Sequence, residues 1–342
     1  MRAVFIREHG GPEKLLYEEL PEPVVGAGQV LVQVEAVGVN HLDLWIRGGI
    51  PGIRVHFPHV LGADIAGTVA EIGPGVNGVA VGDKIVVSPG LSCMRCRECL
   101  SGRDNFCRDY ALLGEHVSGG YCERIAVPAA NILARPANLS VEEAAAYPVT
   151  YLTAWQMLAV RADVRPGETV VIMGVGAGVG IAGLQIAKLL GARVIATSTS
   201  DDKLRRAREL GADEAINTDK EDLGAAVRAL TGKRGADVVF DHIGKLLWLK
   251  AILATARGGR IVTCGATSGH DAETDLRHVF FRQISILGST MGSKGMLHEV
   301  TAHLAAGRLK PVVDRVLPLS QARVAHDLLA DRAQFGKIIL KP

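Results

Sequence analysis

The sequence predicts an α/β fold in two parts: a β-rich, barrel-like region, then a doubly wound parallel sheet. Three observations carry this. The local pattern changes character near residue 150. A cluster of glycines at 174–180 sits between a β-type run and a helical run. A β-type segment at 337–340 closes the chain, far in sequence from any partner.

Up to about residue 150, short β-type runs at 3–6, 30–37, 67–72 and 84–87 alternate with Pro12, Pro21, Pro23, Pro51, Pro58, Pro74 and Pro89. Short strands broken by Gly/Pro punctuation read as a β-rich domain. Ser140 followed three residues on by Glu143 is a capping box, so a helix opens there. From about Glu168 the pattern becomes strand, helix, strand. Residues 169–173, 192–196, 237–241 and 260–264 read as strands. Residues 178–190 and 202–210 read as helices. Such alternation implies a parallel sheet. Two amphipathic helical stretches follow before 337–340, a strand placed to return to the first region and make it discontinuous.

At 342 residues the chain is long enough for about two domains, and 48% apolar residues supply large cores. A net charge of +2 gives no argument for nucleic acid or for an anionic membrane surface. The opening segment, MRAVFIREHGGPEKL, carries charges where a signal peptide needs an apolar core, and clustered thiols fit a reducing cytoplasm. Residues 169–187 carry no charge and are about long enough to span a bilayer. Five glycines lie within them, however, and a buried strand, a Gly turn and a buried helix account for the stretch better.

Cys93, Cys96, Cys99 and Cys107 form the pattern C-x-x-C-x-x-C-x7-C. Four thiolates close a tetrahedral shell around one Zn²⁺, and a shell without an open position is structural. Arg95, Arg97, Arg103 and Arg108 lie among them to offset its negative charge. An iron–sulfur cluster, or free or disulfide-linked cysteines, are the competing readings.

Gly174, Gly176, Gly178 and Gly180, with Val179 between the last two, stand where the first strand of the second region meets its helix. Glycine there permits a tight turn and close approach of backbone to a pyrophosphate. The spacing is not a clean G-x-G-x-x-G, so strand-before and helix-after carry the reading; a merely structural turn is the alternative. The second strand ends at Ser198 and Thr199, where NAD sites place Asp or Glu for the ribose 2′-hydroxyl. Lys203, Arg205 and Arg206 follow. Neutral hydroxyls beside cations favour NADP(H) over NAD(H). For Arg205 and Arg206 the solvated face of a helix is the competing account.

Taken together, GVNHLDLWIRGG (38–49), LGADIAGTV (61–69), the four-Cys lobe, AAAYPVTYLTAWQML (144–158), the Gly turn and FGKIIL (335–340) resemble the medium-chain dehydrogenase/reductases. These include the zinc alcohol dehydrogenases and the quinone oxidoreductases. The resemblance runs over essentially the whole chain. It implies a GroES-like catalytic domain at 1–145 and 292–342, with a structural-zinc lobe at about 90–110, and a Rossmann dinucleotide-binding domain at 146–291. It also implies a homodimer or homotetramer acting on a small carbonyl, quinone or alcohol, while the charge and the opening segment lead to the expectation of a cytoplasmic protein with no nucleic-acid or membrane partner.

The chain departs from the zinc alcohol dehydrogenases at their catalytic metal. Asn40 stands where they have a ligand Cys, and Gly62-Ala63-Asp64 where they have Gly-His-Glu. No cysteine occurs near 148–150, where their third ligand falls. Their proton relay is replaced by Leu42 and Trp45. Asn40, Asp43 and Gly62-Ala63-Asp64 look instead like the zinc-independent quinone oxidoreductases, in which a four-Cys lobe is unusual.

The resulting expectation is hydride transfer from NADPH to a quinone or α,β-unsaturated carbonyl, with Asn40 and Asp43 as catalytic residues. Such acceptors need positioning and a hydrogen bond to the developing oxyanion. The resemblance adds His41, Thr153, Cys264, Gly265 and Lys337 as cofactor contacts. Asp64 is expected to pair with a cation, and His59, His116 and Cys122 are kept as an unorthodox metal site with Asp64. An alcohol dehydrogenase, or a cofactor-binding regulatory or structural protein with little turnover, are the other readings.

Overall fold

The structure is a computed structural model describing all 342 residues, which divide into two compact units. One comprises Met1–Val149 with Gly292–Pro342; the other comprises Thr150–Met291.

The first unit is built on a seven-stranded sheet. Its strands run in the order Ile132–Ala134, Lys84–Val87, Asp64–Ile72, Gln29–Gly38, Lys337–Lys341, Val313–Pro318, and Arg124–Pro128 also pairs with Gln29–Gly38. A smaller sheet joins Leu16–Glu19, Arg2–Ile6 and His59–Val60. Phe5, Ile6, Val32, Ile65, Tyr121 and Ile338 share the core between them. The C-terminal strand does return: Ile339 and Leu340 pair antiparallel with Gly38 and Val37. This pairing delivers Lys337 beside the end of the central strand.

The second unit is a six-stranded, all-parallel sheet in the order Glu214–Asn217, Arg193–Ser198, Thr169–Ile172, Ala236–Asp241, Thr255–Thr263, Ser285–Gly288. The order reverses at Thr169–Ile172, the switch point at which open α/β sheets bind ligands. Residues 169–187 resolve into the strand Thr169–Ile172, a turn, and the helix Gly178–Leu189. No helix is long and apolar enough to cross a membrane.

Glu214–Asn217, Ser285–Gly288 and Val313–Pro318 were not legible as strands. All three lie at sheet edges, where one side of the ladder is open and no continuous apolar run is required. The central strands, buried on both faces, carry such runs, as in TVVI and ADVVFD.

Gly67 shows how closely the first sheet is packed. A Cβ there would lie 2.1 Å from the Gln33 carbonyl oxygen of the neighbouring strand. That atom is backbone and cannot yield without displacing the ladder. Gly67→Ala is expected to lower unfolding free energy by about 2–4 kcal/mol, measured by urea denaturation; a change within 0.5 kcal/mol, as an order-of-magnitude bound for neutral sites, would contradict this packing.

Candidate active site, zinc lobe and cofactor cradle

The central strand of the first unit ends at Gly38, and Asn40 caps the helix His41–Gly48. Gly38 has no space for a side chain: its Cβ would stand 2.3 Å from the Ala145 carbonyl oxygen and 3.1 Å from Lys337 Cε. Glycine thus admits the lysine. Lys337 Nζ donates to Asn40 Oδ1 at 2.5 Å and to Asp64 Oδ2 at 2.8 Å. Asn40 Nδ2 donates to Asp64 Oδ2 at 2.9 Å and to the Gly38 carbonyl at 3.3 Å. Asp64 Oδ1 accepts from Val149 N at 2.7 Å. An ammonium can only donate, so it fixes which end of the Asn40 amide is oxygen. Asp64 is 0% exposed and Lys337 4%. The expected cation partner of Asp64 is therefore Lys337.

Asp43 lies one helical turn into the same helix and is fully buried. Its Oδ2 accepts from Asn40 N at 2.8 Å and Tyr121 Oη at 3.0 Å; its Oδ1 accepts from Gly62 N at 3.1 Å. Burial pushes its pKa up to about 6, against the opposing pull of the Asn40 amide and Lys337. Tyr121 Oη lies 3.3 Å from His326 Nε2, and Arg47 Nη1 lies 3.1 Å from His326 Nδ1. A guanidinium only donates, so Nδ1 accepts and Nε2 carries the proton. The chain Arg47, His326, Tyr121, Asp43 then runs in one direction. Burial, and then Arg47, holds the His326 pKa down at about 3. Asp43 reaches no solvent-facing space, so it acts on this site through Asn40 and Gly62, as a positioning residue.

The four cysteines do converge: their Sγ atoms all lie within 4.8 Å of one another. Cys96 and Cys99 sulfurs are 3.5 Å apart, and Cys93 and Cys99 3.9 Å. Four sulfurs each 2.3 Å from a common centre stand about 3.8 Å apart, so the cluster fits Zn²⁺. All four are free of disulfides. Cys96 N donates to Cys93 Sγ, and the amides of Arg95 and Cys96 pull the Cys93 pKa down, while burial and the neighbouring thiols push that of Cys96 up. The lobe is anchored by Asp104, whose carboxylate takes Lys294 N at 3.0 Å and Lys294 Nζ at 3.3 Å. Arg103 is engaged by Glu98 at 2.8 Å.

No second set of three His, Cys, Asp or Glu side chains converges. His59 Nε2 is bonded to the Gly114 carbonyl, His116 Nδ1 to Leu112 N, and Cys122 Sγ to the Gly119 and Arg124 carbonyls. Asp64 is committed to Lys337 and Asn40. The unorthodox metal site is not assembled. Ala63, where the resemblance places the zinc enzymes' ligand His, is fully buried.

In the second unit, Gly174 adopts φ +61° two residues past the end of the strand Thr169–Ile172. A Cβ on Gly180 would lie 2.6 Å from the Gly174 carbonyl oxygen, and one on Gly176 would lie 2.7 Å from Lys203 Cδ. The helix is thereby seated on the turn, with the Lys203 stem across its mouth. Gly178 is the first residue of that helix and Val179 the second. His242, at the end of the adjacent strand Ala236–Asp241, points its ring at Gly174: Nε2 would be 3.1 Å from a Cβ there. This nitrogen is buried and has no partner in the protein. A glycine cradle at a helix N-terminus, with a buried unpartnered nitrogen beside it, fits a dinucleotide pyrophosphate and ribose.

Ser198 is 9% exposed and its Oγ accepts from Ser200 N; Thr199 is exposed. Asp201 is held by Lys220 and Asn217, and Asp202 by Arg205, which also takes Glu209. Arg205 therefore belongs to a solvated helix face. Cys264 follows the strand Thr255–Thr263, where burial pushes its thiol up to about 12, and Gly265 accepts from Thr263 Oγ1. Thr153 is buried with its hydroxyl on Met291 Sδ at 3.7 Å. His41 is half-buried at the first turn of its helix, its ring 6.3 Å from that of Trp45.

Sequence reasoning missed Tyr121, His326, Arg47 and His242. Tyr121 reaches Asp43 across 78 residues, His326 reaches Tyr121 across 205 and Arg47 reaches His326 across 279, and no local pattern marks them. His242 was discoverable only as the residue at the strand end beside the glycine turn.

Residues 26–137 match the alcohol dehydrogenase GroES-like domain family, and residues 178–306 match the zinc-binding dehydrogenase family. An NAD-dependent alcohol dehydrogenase of Sulfolobus acidocaldarius is 33% identical, covering 100% of this chain and 99% of the relative. A Homo sapiens quinone oxidoreductase is 28% identical over 99% of this chain and 97% of its own. A solved structure described as an NAD-dependent alcohol dehydrogenase superposes with a TM-score of 0.97 at 52% identity, covering 100% of both chains. The chain belongs to the medium-chain dehydrogenase/reductase family. As a member it is an NAD(P)-dependent oxidoreductase, with a GroES-like domain, a Rossmann-type parallel sheet and a four-cysteine site suited to structural zinc.

His326 supplies a pH test of the buried chain. Its folded pKa lies below the unfolded value of about 6.5, so the unfolded state binds the proton first and native stability falls as pH drops from 6.5 toward 3. His326→Gln does not titrate there. Between pH 6.5 and 5 the wild type is expected to lose about 2 kcal/mol relative to the variant, measured by urea unfolding at both pH values. A pH-independent difference would contradict it.

Proposed function

We propose that this protein is an NAD(P)H-dependent reductase of quinones or α,β-unsaturated carbonyls that works without a catalytic zinc, with NADPH preferred over NADH. The observation that carries the reading is the buried Asn40–Asp64–Lys337 constellation. Asn40 stands where the resemblance places a ligand Cys of the zinc branch, Asp64 where it places that site's Glu, and Lys337 ties the two together. A lysine and an amide there compete with a cation rather than bind it.

Bound in the glycine cradle, a dinucleotide supplies the hydride. The chain's own residues do the rest. Gly174, Gly176, Gly178, Val179 and Gly180 let the backbone approach the pyrophosphate, and His242 offers its unpartnered nitrogen. His41, Thr153, Cys264, Gly265 and Lys337 are assigned further contacts to the cofactor. Ser198 and Thr199 receive the adenosine ribose, and Lys203, whose stem crosses Gly176, supplies positive charge for a 2′-phosphate. The Asp201 and Asp202 carboxylates, both engaged elsewhere, do not oppose it.

Asn40 is the proposed donor to the acceptor's developing oxyanion. Its amide holds two hydrogens, on Asp64 at 2.9 Å and on Gly38 at 3.3 Å. The longer bond is the weaker and is the one exchanged. Lys337 holds the amide oxygen, and Asp43 holds the Asn40 and Gly62 backbone amides, so the Asn40 amide plane stays fixed while that one bond is exchanged.

The alternative, alcohol dehydrogenase activity, has specific support: several relatives, including the 52%-identical structure, carry that name. The two readings separate in one assay. NADPH oxidation with quinones or enals, unaffected by chelator, is expected. Chelator-sensitive NAD(P)⁺ reduction by alcohols, with no turnover of quinones or enals, would overturn the proposal. Lys203→Ala is expected to weaken NADPH binding about tenfold, as loss of a charge-assisted phosphate contact, while NADH affinity measured by fluorescence titration changes little. Equal losses for both cofactors would remove the case for a 2′-phosphate site.

A further inference from the structure

The second unit carries a feature that hydride transfer does not use. A half-open depression of about 360 Å³ is lined by Arg228, Lys233, Arg234, Arg257, Arg282 and His278, and no acidic residue lines it. For a chain of net charge +2, five fixed cations around one depression are a marked concentration.

The ways these side chains are held matter. Arg228 Nη1 donates to the Leu253 carbonyl at 3.2 Å, and Arg257 Nη1 to the Phe281 carbonyl at 3.0 Å. Arg282 donates to the carbonyls of Ile252 and Thr255. These acceptors lie at the C-terminal ends of the helices Trp248–Ala254 and Leu276–Arg282. Helix ends orient guanidinium groups and attract them with fractional charge, but they do not cancel three full charges. Among the lining side chains only Arg234 has a carboxylate partner, Asp237. Burial, and then the neighbouring Arg228 and Arg257, holds the Arg282 guanidinium below its usual range. Arg228, Arg257 and Arg282 are therefore preorganised and have no carboxylate partner.

Its position separates it from the cofactor cradle. Gly235 and Thr255, which also line it, lie where the parallel strands Ala236–Asp241 and Thr255–Thr263 begin. The glycine turn follows the end of the strand Thr169–Ile172, on the opposite edge of the same sheet. At about 3.3 Å per residue, six-residue Ala236–Asp241 puts the two edges about 17 Å apart.

We propose that this depression is a second anion site, taking a small phosphorylated molecule that carries two or more negative charges. Arginine forks suit phosphate oxygens, and several cations held close together favour a polyanion over chloride or a single carboxylate. Binding relieves the mutual repulsion of Arg228, Arg257 and Arg282, so the ligand stabilises the second unit as well as occupying it.

The probe is inorganic pyrophosphate, titrated calorimetrically at fixed ionic strength against the full chain. Lys233 and Arg257 are exposed, and the double variant Lys233→Gln, Arg257→Gln retains the Arg282 and Arg228 bonds to the helix ends. Wild type is expected to bind, and the double variant to bind at least about tenfold more weakly, with unchanged circular dichroism. Arg228→Gln gives an independent loss. The titration is run with the glycine cradle filled by saturating NAD(P)H, which should leave pyrophosphate binding at the depression intact. No binding by wild type, or equal binding by the double variant, would overturn the proposal. So would complete loss of binding on saturation with NAD(P)H, which would place the anion at the cofactor turn.

Discussion

The ion pair between Lys337 and Asp64, and the Asn40 amide it orients, hold the first unit's chemistry in place. Lys337 comes from the last strand of the chain, Asp64 from the start of a strand in its first fifth, and Asn40 from the turn between strand and helix. Burying such a pair gains little in itself, because desolvation offsets the attraction. Breaking it by removing one partner leaves an uncompensated charge and costs about 3–5 kcal/mol. The arrangement therefore enforces the return of the C-terminal strand onto Gly38, and with it the discontinuity of this unit. Glycine at position 38 is the steric condition, since any Cβ there would meet the Ala145 carbonyl.

A second buried network supports the first. Asp43 gathers donors from Asn40, Gly62 and Tyr121, and the direction of each bond back to Arg47 follows from what arginine can do. Such a one-way chain has no ambiguity of tautomer. The local dielectric is low, so each member raises the cost of disturbing the next. Asp43 and His326 pull native stability in opposite directions with pH. The carboxyl, with its raised pKa, favours the fold below about 4 and loses that contribution as pH rises through about 6. The imidazole, with its lowered pKa, favours the fold above about 6.5 and loses that contribution toward 3.

Much of this was legible in the sequence, for identifiable reasons. The four cysteines and the glycine turn are local motifs whose spacing is their function, and both came together as expected. The capping box at Ser140 and Glu143 is present, with each residue's side chain on the other's amide. The edge strands were not legible, because half-exposed ladders impose no apolar run. Tyr121, His326 and Arg47 were not legible either, since a hydrogen-bond chain between distant segments leaves no periodicity. Asn40 and Asp43 were found as a pair. That the Asp43 carboxylate is fully enclosed, and so can act only through Asn40 and Gly62, emerged from burial and bond partners.

On the proposed reading, this member of the family keeps a structural zinc and dispenses with a catalytic one. Elemental analysis of protein purified without added metal decides it: one zinc per chain is expected, lost when Cys93 and Cys107 are both replaced by serine. Two zinc ions per chain, one of them surviving that double replacement, would contradict it and require a metal among residues that the structure shows bonded to one another.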